Sequence, residues 1–77
     1  MPTVLRIGPY RFFFYSNEGQ EFPHIHVSSG SDEAKFWLDS VVLASNYGFN
    51  GRQLTEIEQL VEEHQTELLG AWHDFFA

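Results

Sequence analysis

No cysteine occurs in the 77 residues, and lysine and arginine together number only four. The first absence excludes disulfides and thiolate-metal frameworks, so a chain near the lower size limit for a self-sufficient core must fold on apolar contacts. It also fits a reducing compartment. The second absence bears on partners. Proteins gain affinity for duplex DNA by releasing its counterions, and four cations against eleven acidic residues, a net charge of −7, release few. Unaided duplex DNA binding is therefore not expected, whereas a basic protein would be attracted. Long apolar runs are missing as well. No segment approaches a membrane span, and the N-terminus lacks the apolar region of a signal peptide. The expectation is a cytoplasmic chain without membrane contact, folded as a single domain over 1–77.

Aromatic side chains, by contrast, are plentiful at 17%. Thr3 to Ile7 reads as a short strand ended by the turn signal Gly8-Pro9. Arg11 to Ser16 (RFFFYS) is rich in strand-favouring residues, and Asn17-Glu18-Gly19-Gln20 reads as a loop. Pro23 holds Phe22 extended and opens a strand over His24 to Ser28. Ser29-Gly30-Ser31-Asp32 turns the chain into Ala34 to Leu38, and a weaker strand or a helical turn follows over Val41 to Ser45. Asn50 with Gln53 forms a capping-box pattern. Beyond it Leu54, Ile57, Leu60, Val61, His64, Leu68, Leu69, Trp72, Phe75 and Phe76 keep three-and-four spacing, while Glu56, Glu63, Glu67 and Asp74 fall opposite. The predicted architecture is α+β. A small antiparallel sheet of four or five strands, within a strand-rich 1–47, is packed by one long C-terminal amphipathic helix over 51–76 with a bend at Gly70. Leu54, Ile57, Val61, Leu68 and Trp72 are expected to face Ile25 and Val27.

The stretch FPHIHV, Phe22 to Val27, carries the chemistry. Strand alternation sends His24 and His26 to one face and Ile25 and Val27 to the other, with the two histidine Cα atoms roughly 6.5–7 Å apart. Three uses suit such a pair. With Glu18, Glu21 or Asp39 it could complete a two-histidine-one-carboxylate metal set. One imidazole could act as base and the other as acid. Or the pair could be structural, or contact a partner. Without cysteine, a four-ligand zinc site would consume most of the histidines, so no structural zinc and no cofactor are expected. His64, near the middle of the apolar arc, reads as a hydrogen-bonded core residue, and His73 as solvated. Arg11, Phe13 and Tyr15 share one strand face, as do Lys35 and Trp37. Such aromatic faces suit packing or a second chain, and resemble base-stacking platforms less well in so acidic a protein.

Taken together, Tyr15-Ser16-Asn17-Glu18, then Pro23-His24-Ile25-His26-Val27, Glu33-Ala34-Lys35 and a closing helix with His64, Glu67-Leu68 and Trp72 resemble a bacterial family, domain of unknown function 4160. Its members carry a Y-x-N…PPHxHV signature and a helix reading roughly H-x-x-E-L-x-x-x-W. Phe22 stands here where the family has the first proline of its pair. Similar proteins are often encoded beside a second small family in a toxin–antitoxin-like arrangement. The resemblance thus implies a toxin-like component with a cognate small protein from a neighbouring gene as partner. Tyr15, Asn17, His24, His26 and His64 match signature positions.

Two functional expectations follow. In one, His24 and His26 cut RNA as an acid–base pair, with Tyr15 or Arg11 positioning phosphate and Asn17 and Trp37 contributing to binding. In the other, the protein is a non-enzymatic interaction module, dimeric or partner-bound, whose histidines lie at the interface because the helix covers only the opposite face.

Overall fold

The computed structural model describes residues 3–77, so the first two positions of the 1–77 domain lie outside the described part. Five strands run in the order β1 (Thr3–Ile7), β2 (Tyr10–Phe13), β3 (His24–Ser29), β4 (Asp32–Trp37) and β5 (Val42–Tyr47). Each pairs antiparallel with its chain neighbours, giving a meander with β1 and β5 as its edges. Two of the hairpins are tight for a local reason. Gly8 and Gly30 take φ of +56° and +60°, the left-handed values that two-residue hairpin turns require at their first central position. The pairs Ile7↔Tyr10 and Ser29↔Asp32 then fix the registers that follow.

The RFFFYS strand is shorter than its composition suggests. β2 stops at Phe13. Phe14 turns away and packs its ring 5.4 Å from Trp72 and 5.5 Å from Phe76, a burial stronger than its strand preference. The weak fifth strand is real, but it runs over Val42–Tyr47 rather than Val41 to Ser45. A bulge at Ala44 interrupts its pairing with β4.

The C-terminal segment is helical from Gly51 to Phe76 but not continuous. α1 (Gly51–Glu63) begins at the expected capping box, in which Asn50 Oδ1 accepts from the Gln53 N–H at 2.8 Å and Gln53 Oε1 from the Asn50 N–H at 3.0 Å. The break falls at His64 (φ −109°, ψ 15°), not at Gly70, and α2 (Gln65–Phe76) follows. Side chains hold it there. The His64 imidazole donates Nδ1–H to the Leu60 carbonyl at 2.9 Å, and Gln65 Nε2 donates to the Leu38 carbonyl at 2.6 Å. His64 is thus half-buried and hydrogen-bonded, while His73 is exposed as expected.

The core gathers Phe12, Ile25, Val27, Ala34 and Phe36 from the sheet with Ile57, Val61, Leu68 and Trp72 from the helices, and Leu54 packs at its margin. The sheet residues occupy one face because Phe12↔Val27, Val27↔Ala34 and Ile25↔Phe36 are cross-strand pairs. Phe75, assigned by periodicity to the apolar arc, is 45% exposed.

Candidate functional site

Alternation places His24 and His26 on the face away from Ile25 and Val27, as the sequence requires. Their neighbours there are Phe13, paired with His26, and Lys35 and Trp37, paired with His26 and His24. This face is nevertheless not open. The connection Phe14–Pro23 folds back over it, and His24 is fully buried while His26 is 7% exposed. The expectation that a second chain must cover the histidines is corrected here, because the protein covers them with its own loop. The faces are also less separate than a flat sheet implies, since Trp72 of α2 lies 4.8 Å from the His24 ring. The Phe76 ring sits so close to Gly19 that a β-carbon there would approach it to 2.7 Å.

What the loop delivers is Glu18. Its carboxylate reaches both histidines: Oε1 lies 2.9 Å from His24 Nε2, and Oε2 lies 2.9 Å from His26 Nε2. The loop is held in this pose by the Tyr15 N–H, which donates to Glu18 Oε1 at 3.0 Å. The other ring nitrogens are engaged as well. His24 Nδ1 is 2.9 Å from the Phe22 carbonyl, and His26 Nδ1 is 3.3 Å from Glu33 Oε2. His24 Nε2, though close to Glu18, is not aligned for a hydrogen bond and has no other partner.

Electrostatics follow from this packing. Burial alone would raise the Glu18 carboxyl, but the contacts of His24 and His26 and the Tyr15 N–H outweigh it, so the group titrates below its ordinary range. Burial pushes the Tyr15 phenol up, reinforced by the charge of Glu33, whose carboxylate accepts the Tyr15 hydroxyl at 3.3 Å. Tyr15 also stands edge-on to His26 at 4.7 Å, and Phe13 stacks on it at 5.5 Å.

A family comparison now fits the geometry. The family described as a domain of unknown function (DUF4160) matches residues 10–73. The chain belongs to that family. No curated protein and no solved structure matches it. The DUF4160 match takes in every residue of the cluster, from Tyr15 through Glu33.

Of the residues singled out from sequence, the structure brings His24, His26 and Tyr15 together and adds Glu18. Arg11 lies beside this group, its guanidinium 4.4 Å over Phe13 and its Nε–H donated to Thr3 Oγ1 at 2.8 Å. Trp37 packs 5.8 Å from His24 and under the Lys35 ammonium at 4.6 Å. Asn17 is exposed and makes no side-chain hydrogen bond with the cluster. Neither Glu21 nor Asp39 supplies the carboxylate: Glu21 pairs with Lys35 at 2.6 Å, and Asp39 is exposed. Glu33 was missed as a site residue. The two-residue turn at Gly30-Ser31 pairs Ser28 with Glu33 and His26 with Lys35. That register places Glu33 diagonal to His26 on one face, and it could have been read from the sequence.

Proposed function

We propose that this protein acts by binding another protein, as the toxin-like component of a bacterial two-gene pair whose partner is the small, basic product of the neighbouring gene. One observation carries the binding reading. Phe22, in the position where relatives carry proline, is 78% exposed at the rim of a cleft of about 330 Å³ lined by Pro23, Trp37, Asp39, Ser40 and Val42. Val42 (54%) and Tyr47 (72%) extend this apolar area along the uncovered edge strand β5. An aromatic of this size in water is costly unless something covers it. The bulge at Ala44 makes strand addition along β5 awkward, so side chains in the cleft, rather than main-chain pairing, would provide the anchor. The net charge of −7 selects a basic partner, and Asp39 at the rim offers it a local carboxylate.

The acid–base reading needs imidazoles that reach a phosphodiester. With His24 fully buried and both Nε2 atoms against Glu18, the geometry favours protein binding over RNA cleavage.

Growth of cells expressing the chain alone should slow, and co-expression of the neighbour should restore it. Titration of the purified pair should show Phe22→Ser and Val42→Lys each weakening association about tenfold or more without changing the melting temperature. A wild-type chain that neither binds the neighbour nor slows growth would remove this reading. Tight self-association lost in the same variants would make a second copy the occupant instead.

A further inference from the structure

Glu18, His24 and His26 each aim a lone-pair atom into one small volume, and these atoms lie within 4.8 Å of one another. Among the described residues no other group of three such side chains gathers as closely. We propose that they bind a divalent first-row transition ion, with zinc the first to test, through Nε2 of each imidazole and the Glu18 carboxylate.

The tautomers lead to this assignment. The Phe22 carbonyl can only accept, so His24 Nδ1, at 2.9 Å, must carry a proton and donate it. His26 differs: its Nε2 meets both Glu18 oxygens at 2.9–3.0 Å and donates to them, while its Nδ1 lies 3.3 Å from Glu33 Oε2. The neutral His24 ring therefore presents Nε2 as a bare lone pair, buried without a partner and 2.9 Å from an acceptor oxygen of Glu18. A proton on His24 Nε2 would relieve this contact only by making a fully buried imidazolium, which is costly. One divalent ion supplies the partner that His24 Nε2 lacks and takes the place of the proton between His26 Nε2 and Glu18.

Dimensions and surroundings agree. Nitrogen and oxygen ligands lie about 2.0–2.2 Å from zinc, which sets neighbouring tetrahedral donors about 3.3–3.6 Å apart. The observed nitrogen–oxygen separations are 2.9–3.0 Å, so a shift of Glu18 by about half an ångström admits the ion. Metal-bound histidines commonly donate their second N–H to a carbonyl or carboxylate; here the Phe22 carbonyl takes that place for His24, and Glu33 Oε2 lies 3.3 Å from His26 Nδ1. The fully buried, unpartnered His24 Nε2 is the donor most in need of an ion. Two imidazoles with one carboxylate suit zinc, cobalt or iron(II) better than magnesium or calcium, which favour all-oxygen shells. Glu18 comes from the Phe14–Pro23 connection and the histidines from β3, so the ion would staple loop to sheet in a chain without disulfides. Such a staple does not depend on the protein-binding reading.

The test is calorimetric titration of untagged protein, stripped with chelator, using zinc, cobalt and magnesium chlorides in turn. Zinc and cobalt should bind at one ion per chain, cobalt with the visible absorption of a nitrogen–oxygen site, and magnesium should not bind in the same concentration range. Glu18→Gln and His26→Asn should abolish the transition, and Glu33→Ala should weaken it about tenfold by freeing the His26 ring. His73→Ala, on the exposed face of α2, should leave it unchanged. Absence of saturable one-to-one binding of zinc or cobalt by the wild type would overturn the proposal. So would unchanged binding in Glu18→Gln, or loss of binding in His73→Ala. Should Glu18→Gln fail to fold, His26→Asn decides, and an unaltered affinity there would equally overturn the site.

Discussion

Glu18 joins the loop to the sheet through two histidines, and its replacement separates charge from shape. Glu18→Gln keeps the side-chain volume but removes the carboxylate that faces two buried imidazoles. It should destabilise the protein by about 1–3 kcal/mol, the usual cost of leaving buried polar groups poorly matched. Urea denaturation without metal measures this. Asn17→Ala, an exposed neighbour in the same loop, should change stability by about 0.5 kcal/mol or less. Tyr10 offers a pH-dependent counterpart. Burial first, then a hydrogen bond to Glu56 and its charge, raise the phenol above its ordinary value of 10.0. A raised pKa means the neutral form is favoured in the folded state. Its stabilising share is whole below about pH 10 and is lost as pH rises through the folded value. The melting temperature should thus fall more steeply above pH 10 in the wild type than in Tyr10→Phe.

At the scale of elements, the two breaks from regularity have different origins, and only one is local. The capping box at Asn50 and Gln53 is visible in sequence because both partners lie within one turn. So are the glycine-led hairpin turns and the period of two that divides Ile25 and Val27 from His24 and His26. The helix break at His64 is not, since Gln65 is held by the Leu38 carbonyl far along the chain. Periodicity runs unbroken through it, and Gly70 was the conspicuous but wrong choice. Leu68, fully buried just after the break, should cost about 2–5 kcal/mol on truncation to alanine. Gly48 is the sharper test of backbone. Its φ of +105° disfavours any L side chain, and a β-carbon there would run into the Asp32 side chain. Gly48→Ala should lower the melting temperature, and Asp32→Ala should recover only the part due to the collision, because the dihedral strain stays. Full recovery would assign the whole effect to Asp32.

Across the whole molecule, the candidate site was half legible. The histidine pair announces itself, and Glu18 was one of three carboxylates that could join it. Choosing among them needed the fold-back of Phe14–Pro23, which depends on Phe14 leaving the strand for Trp72 and on Phe76 closing over Gly19. Those contacts span the length of the chain, and no local pattern encodes them. The exposed Phe22, by contrast, shows in sequence only as a departure from the family's proline pair. Charge also acts at this scale. With −7 spread over so small a surface, association with a basic partner should be fast at low salt. Raising ionic strength from about 0.01 M to 0.15 M, which shortens the screening length from about 30 Å to 8 Å, should lower the association rate much more than it raises dissociation. Stopped-flow mixing at the two salt concentrations checks this.

The meander order of the sheet also sets how quickly the chain can find its fold. Every strand pairs with the strand next to it in sequence, so no pairing waits for a distant segment to return. Folding rates fall as contacting residues become more separated along the chain, and adjacent hairpins close with little entropy lost in loops. The hairpin between β3 and β4, closed by the Gly30 turn, has the most continuous register and can form before the helices dock. Refolding from urea should therefore have its main phase in the millisecond range. Gly30→Ala should slow folding by nearly the full factor by which it destabilises the protein, because its turn is already made at the transition state. Leu68→Ala should act mostly by speeding unfolding, because α2 docks afterwards.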